Sequence, residues 1–168
     1  ELPSVICGRY RVIDEVGRGA MGRVMRVEHL GTGEVLAMKL LLGQDPEATD
    51  RFRREARALA RIKGEHVVRI IDADLAPELD DAPYLVMELL EGDDLQIYLE
   101  RRRHLSEQEI AGLIIPIAAA LGAAHDRGVV HRDLKPSNIF LSRGPDGEII
   151  PKILDFGISK ITQAVTSE

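Results

Sequence analysis

The sequence predicts an α+β fold, with a strand-rich first half laid out as an antiparallel meander around one main helix and a helical second half. Three observations predict it. Between Tyr10 and Leu42, three runs of apolar and β-branched residues are separated by glycine-bearing turns with no room for a helix. Around Phe52, and again after Ser106, apolar residues recur at helical spacing. The 168 residues are 45% apolar and 30% charged, a globular balance that suffices for one domain or two small lobes. Aromatic residues are scarce and Trp is absent, so the core must be packed from Leu, Ile, Val and Ala.

Taken in order, Tyr10–Val16 reads as a strand, followed by a glycine-rich turn and a second strand, Arg23–His29. Gly31-Thr32-Gly33 makes a tight reversal into a third strand, Val35–Leu42. A helix capped by Thr49 or Asp50 then presents Phe52, Leu59 and Ile62 as its apolar stripe. Val67–Ile71 and Tyr84–Leu90 complete a set of five strands, and the acidic Asp72–Pro83 segment between them reads as an exposed connection. Ser106 and Glu109 form a capping box for a long helix through Ile110, Leu113, Ile114, Ile117 and Leu121, ending near Gly128 and kinked at Pro116. Beyond Val129 come loop and short strands, with a hairpin tip at Ser142–Gly147. The lobe boundary falls near Gly92, giving residues 1–91 and 92–168.

Composition narrows the function. A net charge of −6 argues against a nucleic-acid partner, because phosphate backbones attract basic surfaces. The basic run Arg101-Arg102-Arg103 reads as the solvated end of a helix. A single cysteine, Cys7, excludes an internal disulfide framework and a cysteine-based zinc cluster, and fits a reducing, cytoplasmic compartment. The apolar stretch Ala111–Ala124 is interrupted by Gly112 and Pro116 and reads as too short to span a bilayer; no signal peptide is evident at the start. An anchor outside this chain is left open.

Five features carry chemistry. Gly17-Arg-Gly19-Ala-Met-Gly22-Arg-Val24 has the glycines that let backbone approach a phosphate. It is no Walker loop, since no Lys-Ser/Thr pair follows it, and a strand rather than a helix comes next. Taken alone it is equally a tight turn. Lys39 shares a strand face with Val35 and Ala37, so Val24 and Ala37 would roof a flat ligand while Lys39 reaches its phosphates; an edge lysine turned to water is the competing reading. Glu55 sits beside the apolar stripe of the first helix, where an unpaired carboxylate is costly. Lys39 is its natural partner, and Arg51 or Arg54 the alternative.

His131-Arg-Asp133-Leu-Lys135-Pro-Ser-Asn138 is the most specific string. Asp133 can take a proton from a hydroxyl, Lys135 can balance phosphoryl charge, and Asn138 offers a hard oxygen to Mg²⁺. Twenty-two residues after Asp133 comes Asp155-Phe156-Gly157, where a second metal ligand could meet Asn138; by itself it is an ordinary turn.

In this order the strings resemble the protein kinase family, and the match runs from Tyr10 to about Lys160. Asp133-Leu-Lys135-Pro136 looks like the serine/threonine branch, and Gly19-Ala-Met-Gly22 with Asp155-Phe-Gly-Ile158 looks like the bacterial eukaryotic-like kinases. The resemblance implies a two-lobe fold: a five-stranded antiparallel N-lobe sheet with one main helix, then a helical C-lobe that is incomplete here. It implies ATP and Mg²⁺, with Lys39 fixed by Glu55, metal held by Asn138 and Asp155, and Asp133 and Lys135 serving phosphoryl transfer to a protein Ser or Thr. It further implies that Val16, Gly17, Gly19, Gly22, Val24, Ala37, Met87 and Phe140 line the nucleotide site. The backbone of Glu88 and Leu90 would meet adenine, and Asp94 the ribose. Leu59, Ile70, His131 and Phe156 resemble the stacked apolar column of active kinases, and Arg132 would meet a phosphorylated residue, for which Thr162, Thr166 and Ser167 are candidates by position.

The chain ends eleven residues after Gly157, before the family's A-P-E motif. Two consequences are expected: the helix from Ser106 to Arg127 should expose apolar surface, and a non-catalytic nucleotide-binding or scaffold fragment competes with the kinase reading. Dimerisation is possible and not indicated.

Overall fold

The computed structural model describes residues 2–19, 22–41, 46–154 and 156. The chain divides into two compact units. Among the described residues, the first holds 2–60 with Arg69–Leu89, and the second holds Arg61–Val68 with residues 90–154 and 156.

The first unit is built on one antiparallel sheet of β1 (Val5–Ile6), β2 (Tyr10–Gly19), β3 (Gly22–His29), β4 (Val35–Leu40), β5 (Ile70–Ala76) and β6 (Ala82–Glu88), in the spatial order β1-β2-β3-β4-β6-β5. The five anticipated strands are joined by a sixth, the two-residue β1 at the edge, too short to register as a periodic run. The helix α1 (Pro46–Leu59) packs on β5 and β6. It begins before Thr49 and Asp50, at a proline, whose missing N–H and fixed φ suit the first helical position. Phe52, Ala56 and Leu59 are its buried stripe, four and seven residues along.

Tyr10, Met25, Val27, Leu36, Met38, Leu40, Tyr84 and Val86 form the core on one face of this sheet. The sheet curls until its edges meet: Cys7 of the β1–β2 turn bonds through its Sγ to the Leu75 carbonyl (3.5 Å), and the Tyr10 hydroxyl donates to Asp72 (2.7 Å). Arg9 closes the seam on Asp72 (3.1 Å) and the Tyr84 hydroxyl (2.8 Å). Burial pushes both phenols far above the ordinary tyrosine range.

This seam corrects the reading of Asp72–Pro83 as exposed loop. Most of the segment is the β5–β6 hairpin, turning through a 3-10 turn at Pro77–Leu79, and β5 starts at Ile70 rather than Val67. The acidic residues misled: Asp72 is taken up by Tyr10 and Arg9, and the Asp74 carboxylate accepts from the Leu75 amide. A satisfied carboxylate sits in a strand as comfortably as in a loop.

The second unit has a three-stranded sheet, β7 (Gly92–Asp94), β8 (Ile139–Arg143) and β9 (Ile149–Ile153), with α2 (Leu95–Arg102) against β7 and β8 and α3 (Glu107–His125) against β9. Strands β8 and β9 run on to Arg143 and back from Ile149, so the hairpin tip lies at 144–148. Residues 61–68 join this unit: Val67 bridges Ile153, the Val68 amide donates to the Ile153 carbonyl, and His66 Nδ1 bonds the Pro151 carbonyl (2.9 Å). Asp94 caps α2 through the Ile97 amide (2.9 Å), and Ser106 with Glu109 forms a complete capping box on α3. Arg101 pairs with Asp93 (2.5 Å) and Arg102 with Glu109 (2.6 Å), which anchors the basic run.

Helix α3 runs through Pro116 and ends at His125. It exposes Ile110, Ile114 and Ile115, as expected. Its 19 residues are, by length and composition alone, enough to cross a bilayer, which corrects the shorter Ala111–Ala124 estimate. A single such helix, opening on Glu107 and Glu109 and carrying Pro116, does not by itself make a span.

Candidate active site

The loop before β8 gathers three of the anticipated side chains. Asn138, buried at the end of a 3-10 turn (Pro136–Asn138), donates from Nδ2 to the Asp133 carbonyl (2.8 Å) and carboxylate (3.3 Å). Lys135 Nζ stands 3.6 Å from the same carboxylate. Pro136 sets φ for the turn, and the Asn138 amide closes it on the Lys135 carbonyl (2.9 Å). A carboxylate, an ammonium and a side-chain amide thus converge within six residues.

His131 holds this loop from beneath. Its side chain is 2% exposed. Nε2 bonds the Leu154 carbonyl (2.6 Å) and Nδ1 accepts the Asp133 amide (3.2 Å), so the ring carries its hydrogen on Nε2. The ring meets buried Phe156 at a tilt of 54°, with the ring centroids 4.9 Å apart. The Leu154 amide donates to the Asn138 carbonyl (2.9 Å), tying the chain after β9 to the Asp133–Asn138 loop. Arg132, between the two anchored residues, adopts φ of +65°, a left-handed conformation costly for a side-chain-bearing residue. Sequence reasoning missed the Leu154 contribution, since a backbone carbonyl leaves no residue signature.

The donor set suits a hard cation. With Nδ2 committed to Asp133, the Asn138 amide is fixed in the flip that leaves Oδ1 as its remaining polar atom, in a side chain only 7% exposed. Among the described residues no group of three or more His, Cys, Asp or Glu forms a metal cage. Asp155 and Gly157 lie outside the described residues, as do Thr162, Thr166 and Ser167.

In the first unit, register aligns the other candidates. Gly17 pairs with Val24, Val24 with Lys39, and Ala37 with Met87. Directly paired residues share a sheet face, so Val24, Ala37, Lys39 and Met87 lie on the face opposite Met25, Met38 and Leu40. Glu55 lies on α1, three residues after Phe52; its side chain is outside the described residues. Gly19 and Gly22 form the last pair of the β2–β3 hairpin. Gly22 (φ +139°) is required by the fold, because a Cβ would stand 2.0 Å from the Leu40 carbonyl oxygen. Gly17 is not: a Cβ there meets nothing within 4 Å, which leaves open space for a ligand to approach backbone. Val16 is exposed beside it.

At the end of β6, the Glu88 carboxylate accepts the Arg69 amide (2.8 Å) while its own amide donates to the Arg69 carbonyl (3.0 Å). Leu90 follows, half-buried. Asp94 has one oxygen engaged in the α2 cap, and Phe140 lies opposite it on β8. Leu59 is buried and Ile70 half-buried in the first unit.

Comparison with known proteins gives a consistent picture. The protein kinase domain model matches residues 10–167. Serine/threonine-protein kinase Pkn1 of Myxococcus xanthus is 42% identical over 97% of this chain and 23% of its own length. The probable serine/threonine-protein kinase PknB of Lactococcus lactis is 35% identical over 95% of the chain and 25% of its own length. The chain therefore spans about a quarter of these curated relatives. The crystal structure of the Mycobacterium tuberculosis PknI kinase domain superposes with a TM-score of 0.81 at 31% identity, over 94% of this chain and 64% of that one.

Proposed function

Because the chain belongs to the protein kinase family and its relatives are serine/threonine kinases, we propose that it supplies the nucleotide-binding and catalytic-loop parts of an ATP-dependent protein serine/threonine kinase. The observation that carries this reading is the convergence of Asp133, Lys135 and Asn138 in a loop braced by His131.

In this proposal ATP is the phosphoryl donor and a protein Ser or Thr hydroxyl the acceptor. Asp133 accepts the hydroxyl proton, and Lys135, already beside that carboxylate, balances charge on the moving phosphoryl group. Asn138 Oδ1 and Asp155 would hold magnesium, which when bound neutralises phosphate charge. Lys39, steadied by Glu55, grips the phosphates, and the amides of the Gly17–Gly22 hairpin cover them. Val16, Val24, Ala37, Met87 and Phe140 would enclose the base, the Glu88 and Leu90 backbone would bond its edge, and Asp94 would offer its second oxygen to the ribose. The setting is cytoplasmic, where ATP is supplied.

The test is transfer of labelled γ-phosphate from Mg-ATP to a generic protein substrate, by this chain and by the full-length product of its gene. Phosphoserine or phosphothreonine in the product supports the proposal. ATP binding without transfer by either form would favour a scaffold role instead.

A further inference from the structure

We propose that Glu15 is a positioning residue for nucleotide binding, holding Arg18 and Arg23 together across the base of the glycine hairpin and so fixing the spacing of its backbone. The proposal rests on the nucleotide-binding reading above.

Arg18 and Arg23 are direct partners in the hairpin, one pair before Gly19 and Gly22. Two guanidinium groups placed directly opposite each other repel. Glu15 takes up both. Arg18 donates from Nε (2.9 Å) and Nη2 (3.3 Å), and Arg23 from Nε (2.8 Å) and Nη2. These bonds, with that from Arg18 the largest contribution, hold the Glu15 carboxyl below its ordinary range.

The contact depends on an irregularity in β2. Residues three apart in a regular strand face opposite ways. Here Glu15 pairs with Met25 while Gly17 pairs with Val24, so Val16 is an extra residue, a β-bulge. The bulge shifts the alternation by one and puts Glu15 on the same face as Arg18 and Arg23. That face belongs to Met25 and Leu40 and lies opposite Val24 and Lys39. Glu15 therefore acts through the backbone rather than on a nucleotide. The backbone needs such help, because Gly17 has no side chain and open space around it. A hairpin whose base is already spaced loses less freedom when its amides close on phosphates.

Sign separates this role from a simple field effect. Removing a carboxylate near an anion's site strengthens anion binding by Coulomb's law, whereas loss of positioning weakens it.

The test is binding of N-methylanthraniloyl-ATP with magnesium to the wild type, to Glu15→Ala and to the double variant Glu15→Ala/Arg18→Ala, with thermal midpoints recorded for each. Glu15→Ala is expected to bind about three- to tenfold more weakly, and the double variant to recover most of the loss because no opposed cations remain. Equal or tighter binding by Glu15→Ala, or a double variant no better than the single one, overturns the proposal. Should Glu15→Ala fail to fold, Glu15→Gln is read by the same criteria. A wild type that binds no nucleotide overturns the kinase reading and this proposal with it, whereas a wild type that binds while Glu15→Ala binds equally overturns this one alone.

Discussion

The ring of His131 is bonded at both nitrogens, to the Leu154 carbonyl and to the Asp133 amide, and so ties together two stretches of backbone. Replacing His131 with Phe would retain a ring against Phe156 and delete both bonds. The Leu154 carbonyl and the Asp133 amide would lose their partner, at about 2 kcal/mol for the pair. Urea unfolding of His131→Phe should show that loss, and an unchanged midpoint would mean the ring packs without bracing. The side-chain chemistry of this loop was legible because Asp133, Lys135 and Asn138 are close in sequence. What the sequence hides is the bracing: the Leu154 carbonyl and the αL conformation of Arg132 are backbone facts that residue types do not encode.

At the scale of elements, local signals that the chain states directly were readable, and signals that depend on a partner strand were not. The Ser106–Glu109 capping box announced α3, and it formed in full. Ser106→Ala should cost about 1 kcal/mol in thermal or urea unfolding. The box also gives α3 a pH dependence. The Ser106 amide and hydroxyl contacts hold the Glu109 carboxyl below its ordinary range, so the contribution is complete above the unfolded carboxyl's pKa. It is lost as pH falls through the lower, folded pKa. Stability of the wild type should therefore fall more steeply than that of Glu109→Gln, which has no carboxyl to titrate, as pH drops below the usual carboxylate range, and parallel pH profiles would contradict this. The β5–β6 hairpin was hidden for the opposite reason. Its Asp72 is satisfied by Arg9 and Tyr10, some sixty residues earlier, so composition alone read as loop. The β-bulge at Val16 was equally silent, because an inserted residue merely breaks an alternation.

Over the whole molecule, the chain forms two units, with the glycine hairpin and Lys39 in one and the Asp133–Asn138 loop in the other. Among the described residues of the second unit, Ile115 on the outer face of α3 is the most exposed large apolar side chain, at 67%. Ile115→Glu should change stability by no more than about 0.5 kcal/mol while lowering binding of a hydrophobic dye. A large loss of stability would show that Ile115 is packed in solution. The family, the motif order and the antiparallel first unit were all readable from the glycines, Lys39 and the His131–Asn138 string. The membership of residues 61–68 in the second unit was not, because it rests on backbone bonds from His66, Val67 and Val68 to β9.

The most direct measurement is the rate of γ-phosphoryl transfer from Mg-ATP by Asp133→Asn beside the wild type, in the full-length product of the gene, with nucleotide affinity measured on the same samples. Asn cannot take the hydroxyl proton, yet it matches the shape of Asp beside Lys135 and Asn138. The expected result is a fall in turnover of about 10²- to 10⁴-fold with nucleotide affinity nearly unchanged. Wild-type turnover by Asp133→Asn would contradict the role assigned to Asp133 and, with it, the catalytic reading of the loop.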